Sequence, residues 1–176
     1  MRYFVDTEFI EDGHTIDLIS VGVVADDGRE FYAESTEADL GRANEWVRDN
    51  VLAHLWHRQS GDERRQANRW SRDGGTGGFL SRRHIAADLV RFVAGDDSPP
   101  EFWAYYGDYD WVAICQLYGT MMDLPDGWPM FCMDLKQLAV DKGDPDLPEQ
   151  SSTEHHALAD ARWNRDVHAF LTSLGD

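Results

Sequence analysis

The sequence predicts an α/β domain in which one mixed β-sheet is flanked by helices. Three β-rich runs open the chain and helical patterns alternate with strand-like runs later, in the order βββ-α-α-β-α-β-α. With 176 residues, 42% of them hydrophobic and 12% aromatic, the chain is long enough for one domain with a substantial core. No internal repeat or linker divides it, so we expect a single domain over residues 1–176.

The first three runs predict an antiparallel meander. They read RYFVDTEFI, TIDLISVGVVA and EFYAES, and the DDG turn signal at residues 26–28 separates the last two. A helix is predicted next, because apolar residues recur at helical spacing. These residues are Trp46, Val47, Val51, Leu52 and Leu55.

An Arg- and Gly-rich insertion is predicted at about residues 58–83. Residues 59–80 are polar, and their GGTGG stretch lacks the lysine and the spacing of a phosphate-binding loop, so we interpret it as a flexible connection. The amphipathic run SRRHIAADLVRFVAG then predicts a helix that Ser81 caps.

The second half of the chain predicts two more strands and three more helices. PEFWAYYGDYD contains the fourth strand and YDWVAICQLYG a helix, while MFCMDL contains the fifth strand, followed by a short helix. The last helix is predicted from about Ala157 to Leu174. We therefore expect a mixed sheet of five strands.

The formal net charge of −17 argues against broad, salt-driven binding to nucleic acid. Residues 58–91 differ, because they hold eight arginines against four acidic residues, a local excess of +4. Such a stretch is a docking patch, a solvated helical face or a contact with a partner chain, and composition does not decide among them.

Composition also bears on the cellular compartment. The two cysteines, Cys115 and Cys132, are too few for a disulfide framework and favour a reducing cytoplasm. The chain has no run of about 18 apolar residues, so no membrane span is expected. Asp6 and Glu8 lie where a signal peptide would need its apolar region, so none is expected there either.

Two acidic residues on the first strand are the first indication of a catalytic site. Asp6 and Glu8 are two positions apart, so their side chains leave the same face of the sheet, while Thr7 and Phe9 leave the other. Paired carboxylates on an interior strand are costly unless something such as a divalent metal neutralises them. In a chain this acidic such a pair arises by chance about once, and exposed acids on an edge strand are the alternative.

Two further acids complete a metal-binding set. Asp110 follows an apolar strand and begins a helix, the usual place for a site residue in an α/β sheet. Asp160 lies on an otherwise apolar helical face, where an acid needs a partner. With Asp6 and Glu8 these residues suit two Mg²⁺ or Mn²⁺ ions about 3.5–4 Å apart, an arrangement that clamps both oxygens of a phosphoryl displacement.

Three stretches resemble the motifs of the DEDD exonuclease superfamily, in the same order and over the whole chain. They are DTEF at 6–9, YYGDYD at 105–110 and HHALAD at 155–160. A histidine five residues before the last aspartate marks the DEDDh branch, which includes proofreading exonuclease subunits, oligoribonuclease and RNase T. The Tyr- and Trp-rich second motif and the small size are most similar to the actinobacterial RNase AS group. The resemblance implies an RNase H-like fold, with three antiparallel strands leading into two parallel ones.

The same resemblance implies a 3′–5′ exoribonuclease that releases nucleoside 5′-monophosphates from the 3′ ends of single-stranded RNA. It also implies two Mg²⁺ or Mn²⁺ ions, a preference for adenylate tracts and a homodimer. Two alternatives stay open: a proofreading-type 3′–5′ DNA exonuclease, and a catalytically silent RNA-binding module on the same fold. A complete acid set with a histidine argues against silence, because binding alone does not need all five residues.

Residue by residue, the resemblance assigns the four acids to two ions. It makes Asp6 the bridging ligand, Glu8 and Asp160 ligands of one ion, and Asp110 a ligand of the second, directly or through water.

The resemblance also separates the two adjacent histidines. It selects His155 as the general base, a task that a neutral imidazole suits. We expect His155 on the loop before the last helix, because five residues along a continuous helix turn by about 140° and would separate it from Asp160. For His156 we expect a structural hydrogen bond.

The remaining candidates are substrate contacts. Phe9 is placed to press on a terminal base, as that position does in similar enzymes, and Thr7 and Tyr106 are further candidates. The aromatic residues around Asp110 are either core residues or stacking platforms for bases. The arginines expected to guide the RNA backbone, in their own protomer or across a homodimer, are Arg64, Arg65 and Arg69.

Overall fold

The structure is a computed structural model that describes residues 1–56, 76–94, 98–150 and 153–175. Six strands and five α-helices lie within these ranges. In chain order they are β1 (Arg2–Glu11), β2 (Ile16–Ala25), β3 (Glu30–Ser35), α1 (Glu45–Asn50), β4 (Thr76–Leu80), α2 (Arg82–Val93), β5 (Glu101–Ala104), α3 (Asp108–Gln116), β6 (Met133–Asp134), α4 (Leu135–Asp141) and α5 (Ala157–Ser173). Short 3₁₀ helices lie at Leu40–Arg42, Leu52–His54 and Met121–Asp123.

All six strands form one mixed sheet in the order β4-β3-β2-β1-β5-β6. β1, β2 and β3 pair antiparallel, as the meander predicted, whereas β5 pairs parallel with β1 and β6 parallel with β5. The α/β class and the mixed sheet flanked by helices are confirmed. The sheet has six strands instead of the predicted five, because β4 pairs parallel with β3.

The additional strand lies in the Gly-rich stretch that the sequence favoured as a flexible connection. That interpretation was wrong for Thr76, Gly77 and Gly78, which belong to β4. There a ladder with β3 satisfies the main-chain polar groups, and this does not depend on the side chains of the residues. Gly77 and Gly78 are buried, and without side chains they show no alternation that would predict a strand. Residues 58–75 of the predicted insertion lie outside the described residues.

Helices cover both faces of the sheet, and β1 contributes to the core on each side. Tyr3 and Val5 pack with residues of α2 and α3, among them Trp111. Phe4 packs on the other face with residues of α4 and α5, among them Val167. This alternation follows from the two-residue period of a strand and leaves β1 buried on both faces.

Local signals place the ends of the helices. Ser81 caps α2 as predicted, with its side chain accepting a hydrogen bond from the His84 N–H. α5 begins at Ala157, as predicted, and Leu174 caps it instead of forming its last turn. No helix of the described chain is long and apolar enough to span a membrane.

The first turn of α5 lies directly against β2, and Gly22 makes this approach possible. A Cβ added at Gly22 would lie 2.3 Å from the carbonyl carbon of Ala157 and 2.4 Å from the amide nitrogen of Leu158. Further along α5, the Asn164 side-chain amide donates a hydrogen bond to the carbonyl oxygen of Val5 at 2.8 Å. These contacts hold α5 over β1 and β2.

Candidate active site

The acidic residues lie where β1 extends beyond its parallel neighbour. β5 pairs with β1 only from Arg2 to Phe4, so from Val5 onward β1 has no neighbour on that side among the described strands. A crevice forms at the carboxyl end of β5, the usual place for ligands in an α/β sheet. Side chains from helices on both faces can meet there, because no strand in the described ranges separates them.

Three of the predicted metal ligands converge in this crevice. Asp6 and Glu8 of β1 and Asp160 of α5 each offer a carboxylate oxygen, and these atoms lie within 4.8 Å of one another. Asp6 stands opposite Gly22 in the register of β1 and β2, next to the place where α5 meets the sheet. Asp160 is on the first turn of α5, so its position depends on how that helix docks.

Asp110 reaches the crevice from the first turn of α3, on the other face of the sheet. It is 7% exposed, and its Oδ1 accepts two hydrogen bonds at 2.7 Å, from the main-chain N–H and the hydroxyl of Thr7. Asp110 is therefore separate from the three-acid group but lines the same cavity. Thr7, which we predicted as a substrate contact, also lines this cavity and holds the Asp110 carboxylate.

Burial raises the pKa of all four carboxyl groups, and it is the largest cause in each. The pKa of Asp6 lies well above its usual range, and the charges of Asp110, Glu8 and Asp160 raise it further. The pKa of Glu8 rises to about 8, with repulsion from Asp160 and Asp110 adding to burial. The pKa of Asp110 rises only to about 6, because the Thr7 hydrogen bonds favour its ionised form. The pKa of Asp160 is also raised.

This donor set fits a divalent cation. Carboxylate oxygens are the ligands that Mg²⁺ and Mn²⁺ prefer in proteins. Four carboxylates gathered in a half-buried crevice repel one another, and either protons or a cation must neutralise part of their charge. The raised pKa values are consistent with neutralisation by protons when no cation is bound. The convergence of carboxylate oxygens at Asp6, Glu8 and Asp160 fits neutralisation by a cation.

His155 lies on the loop directly before α5, as we predicted. Its backbone has a φ of +61°, a left-handed value that is uncommon outside glycine and often found at functional sites. Its ring contacts Trp46 of α1 edge-on, with the ring centroids 4.8 Å apart. Both side chains line the cavity that contains Asp6 and Asp160. His155 is therefore beside the acids without being part of the helix.

His156 has a different environment. It is 5% exposed, and its ring stacks on Tyr32 with centroids 4.6 Å apart and packs against Trp56 at 4.5 Å. Burial lowers the pKa of His156 to about 4, so the ring is neutral near physiological pH. A structural role fits this environment, but the ring is held mainly by aromatic packing, whereas we expected a hydrogen bond.

Aromatic side chains line much of the cavity that contains the four acids, whose volume is about 370 Å³. Its lining residues are Asp6, Thr7, Glu8, Phe9, Trp46, Val51, Tyr105, Tyr106, Tyr109, Asp110, His155 and Asp160. Tyr106 and Tyr109 are 63% and 51% exposed, and the Phe9 ring lies within 13° of parallel to that of Tyr109. Trp103 and Trp111 are buried. The aromatic residues of the second motif are thus divided between the core and the cavity.

Sequence reasoning missed three contributors to the site. Trp46 counted only as part of a helical pattern, yet it is 54% exposed and faces His155. Gln150, in the segment between α4 and α5, donates a side-chain hydrogen bond to Asp160. Asn164 lies four residues after Asp160. This spacing, which puts both residues on one side of the helix, was the one signal in the sequence that Asn164 lies near the site. The predicted substrate-guiding arginines, Arg64, Arg65 and Arg69, lie outside the described residues.

The sequence as a whole is similar to proteins of named activity. Residues 1–172 match the family described as the 3′-5′ exoribonuclease Rv2179c-like domain. The chain belongs to this family. Two Rv2179c-like relatives, the 3′-5′ exoribonucleases Rv2179c and MT2234.1, come from the H37Rv and CDC 1551 strains of Mycobacterium tuberculosis. Each is 47% identical to this chain over 178 residues, which cover 100% of this chain and 96% of the relative.

The Rv2179c-like fold is shared with more distant proteins. The S. pombe Pop2p structure, solved in its Mg²⁺- and Mn²⁺-bound form, superimposes with a TM-score of 0.51 at 12% sequence identity. The match covers 97% of this chain and 81% of that one. At such low identity the likeness concerns the fold alone, and it confirms the RNase H-like fold that the three motifs implied. Family membership confirms the predicted enzyme class, the 3′–5′ exoribonucleases.

Proposed function

We propose that this chain is a metal-dependent 3′–5′ exoribonuclease that removes nucleoside 5′-monophosphates from the 3′ end of single-stranded RNA. The observation that carries this proposal is the meeting of Asp6, Glu8, Asp110, Asp160 and His155 around one cavity. The activity named for the two mycobacterial relatives, at 47% identity, supports the same reaction.

In this proposal the four acids hold two Mg²⁺ or Mn²⁺ ions, with Asp6 shared, Glu8 and Asp160 on one ion and Asp110 on the other. When bound, such ions stabilise the negative charge that develops on the phosphate oxygens during in-line displacement. The group of carboxylate oxygens within 4.8 Å supports this assignment. The Mg²⁺ and Mn²⁺ bound to S. pombe Pop2p, which shares the fold, are consistent with it.

His155 accepts the proton of the attacking water. The water oxygen forms a bond to the terminal phosphorus, the bond to the 3′ oxygen of the preceding nucleotide breaks, and that oxygen takes a proton from solvent. His155 and the Asp160 carboxylate line the same cavity, so the proton acceptor lies beside the proposed metal ligands. The position of His155 outside α5 lets its ring face the cavity that holds the acids.

The aromatic part of the cavity suits the terminal base. Phe9 and Tyr109 present nearly parallel rings whose centroids are 5.9 Å apart. Tyr106 beside them is exposed, and stacking on such rings accepts any base because every base has a π-face. Thr7 lines the same cavity and donates the two hydrogen bonds that hold Asp110 in place.

Further parts of the proposal rest on the sequence and the family resemblance. Arg64, Arg65 and Arg69 guide the RNA backbone, which is consistent with the local charge excess of residues 58–91. A preference for adenylate tracts and a homodimer are carried over from the resemblance alone. We propose a single domain over residues 1–176 and a cytoplasmic location, for which the two unpaired cysteines are the support.

A digestion panel tests the reaction. RNA and DNA homopolymers, labelled at either the 3′ or the 5′ end, are incubated with Mg²⁺, Mn²⁺ or EDTA. We expect the 3′ label to appear at once as a mononucleotide, the 5′-labelled RNA to shorten gradually, and EDTA to stop both. Activity in EDTA, or shortening from the 5′ end, contradicts the proposal.

The same panel separates the alternatives. Faster cleavage of DNA than of RNA would favour a proofreading-type enzyme, and RNA binding without cleavage would favour a silent binding module. Equal initial rates on A, C, G and U homopolymers at subsaturating substrate would remove the adenylate preference alone.

A further inference from the structure

The segment between α4 and α5 contributes a side chain to the acidic site that lies outside all three motifs. Gln150 is half-buried, and its Nε2 donates a hydrogen bond to Oδ1 of Asp160. The contact borders a cavity of about 190 Å³ that adjoins the 370 Å³ cavity and shares Asp6, Tyr105, His155 and Asp160 with it. Gln150 therefore acts on the acid that α5 supplies.

The segment is attached to the protein immediately before Gln150. The indole N–H of Trp163 donates to the carbonyl oxygen of Pro148 at 2.9 Å. Leu147 packs against the core cluster that contains Phe4 and residues of α4 and α5. Because Pro148 also restricts its own backbone φ, these two neighbouring anchors limit where the Gln150 side chain can reach.

One side of α5 carries the partners of these contacts. Asp160, Trp163 and Asn164 are spaced i, i+3 and i+4, so they lie together on the helix surface. Asp160 accepts a hydrogen bond from Gln150, and Trp163 donates one to the main chain just before Gln150. Asn164 donates one to the main chain of β1. The Asp160 carboxylate thus lies between β1 and the segment that holds Gln150.

We propose that Gln150 is a positioning residue for the metal site. Its amide binds one carboxylate oxygen of Asp160 and leaves the other oxygen free to bind a cation together with Asp6 and Glu8. A carboxylate has two oxygens, so one hydrogen bond to Oδ1 does not consume its capacity to bind a metal. Fixing the carboxylate in one orientation reduces the entropy that metal binding costs. The inference rests on the proposed function, because it needs a cation at the three acids.

Removing the Gln150 amide shows whether this amide orients Asp160 for a cation or competes with the cation for Asp160. Partners that orient a metal ligand typically contribute about 10–100-fold in metal affinity or activity. We therefore expect Gln150→Met, which keeps the length of the side chain but has no donor, to weaken Mn²⁺ binding about tenfold or more. If the amide competed with the cation for Asp160, the same change would tighten binding.

The experiment measures Mn²⁺ binding to the full chain by electron paramagnetic resonance and calorimetry. Gln116→Met, at an exposed glutamine on α3, is the matched control and should bind Mn²⁺ as the parent does. Gln150→Asn keeps an amide one methylene shorter and should also weaken binding. Trp163→Phe loses the donor to Pro148 while it keeps a ring against Tyr105, and should have a smaller effect in the same direction.

The outcomes separate this inference from the proposed function. Thermal unfolding followed by circular dichroism identifies the variants that fold. Unchanged or tighter Mn²⁺ binding in folded Gln150 variants, with a parent that binds Mn²⁺ and degrades RNA, overturns the inference alone. A parent that binds no Mn²⁺ overturns the proposed function and the inference together. At saturating Mn²⁺ we expect the KM for RNA of Gln150→Met to equal that of the parent, and a raised KM would show a substrate contact instead.

Discussion

The main-chain N–H and the hydroxyl of Thr7 both donate to the same oxygen of Asp110, each at 2.7 Å. Thr7 lies between the two acids of β1, whereas Asp110 comes from α3 on the opposite face of the sheet. One residue therefore joins the acids of β1 to the acid of the second motif. Its hydrogen bonds also oppose the effect of burial, which raises the pKa of Asp110 to about 6.

Thr7→Val tests this relationship, because valine keeps the β-branched shape and the main-chain N–H but lacks the hydroxyl. We expect the pKa of Asp110 to rise further and Mn²⁺-dependent activity to weaken most near pH 6–7, with recovery at higher pH. Thr7→Ser should behave as the parent. The measurement is kcat as a function of pH and Mn²⁺ concentration. A raised KM for RNA with an unchanged metal dependence would instead make Thr7 a substrate contact.

The carboxylates should be individually required for activity. Asp6→Asn and Asp160→Asn each remove an anionic ligand without changing the side-chain shape, so we expect most nuclease activity to be lost while the protein stays folded. Asp141→Asn, at an exposed position of α4, is the control and should leave activity unchanged. Turnover near the parent level in either site variant, measured with Mg²⁺ on labelled RNA, would refute the proposed mechanism.

Without metal, the acids should make the stability of the protein depend on pH. The pKa of Glu8 is about 8 in the folded protein and 4.5 in its ordinary state, so between these values the folded protein binds more protons than the unfolded one. The free energy of unfolding contributed by Glu8 is therefore greatest below about pH 4.5 and falls as the pH rises to about 8. Asp6 and Asp110 act in the same direction.

Glu8→Gln isolates this effect from the other titrating groups. We expect the variant to melt at the same temperature as the parent near pH 4.5 and at a higher temperature above pH 8, in EDTA. Added Mn²⁺ should stabilise the parent more than the variant at high pH. His156, with its pKa lowered to about 4, destabilises both proteins at low pH and cancels in the comparison. Identical melting temperatures at pH 8.5 would contradict the expectation.

The two histidines should have separable effects. His155→Ala should lower kcat by about 10²–10⁴-fold, the usual contribution of a general base, with little change in Mn²⁺ affinity or melting temperature. His156→Ala empties a space between Tyr32 and Trp56 and should reduce the free energy of unfolding by about 2–4 kcal/mol. A folded but inactive His156→Ala protein beside an active His155→Ala protein would show that the base is assigned one residue too early.

Gly22→Ala tests whether the docking of α5 controls the site. The added Cβ would meet the main chain of Ala157 at 2.3 Å, so the first turn of α5 must move away from β2 and carry Asp160 with it. We expect a lower melting temperature and weaker Mn²⁺ binding. Gly41→Ala is the control, because its Cβ would contact only the Asp39 carboxylate, at 3.2 Å. Parent-like Mn²⁺ affinity in a folded Gly22→Ala protein would argue against this dependence.

The sequence by itself determined the features that depend on local periodicity and local caps. The alternation of β1 places Asp6 and Glu8 on one face because a strand repeats every two residues. Ser81 and the pattern after it define α2 because a cap and a helical face are local properties. The start of α5 at Ala157 leaves His155 on a loop, as the spacing to Asp160 required.

The tertiary structure decided the features that depend on residues distant in the chain. β4 is a strand only because β3 offers it a ladder, and its glycines carry no pattern of their own. Trp46 belongs to the site because α1 packs beside His155, a contact that appears only in the folded chain. Gln150 donates a hydrogen bond to Asp160, and Trp163 contacts the chain two residues earlier, at Pro148. These contacts join separate elements, and their geometry is set by packing that no local sequence pattern encodes.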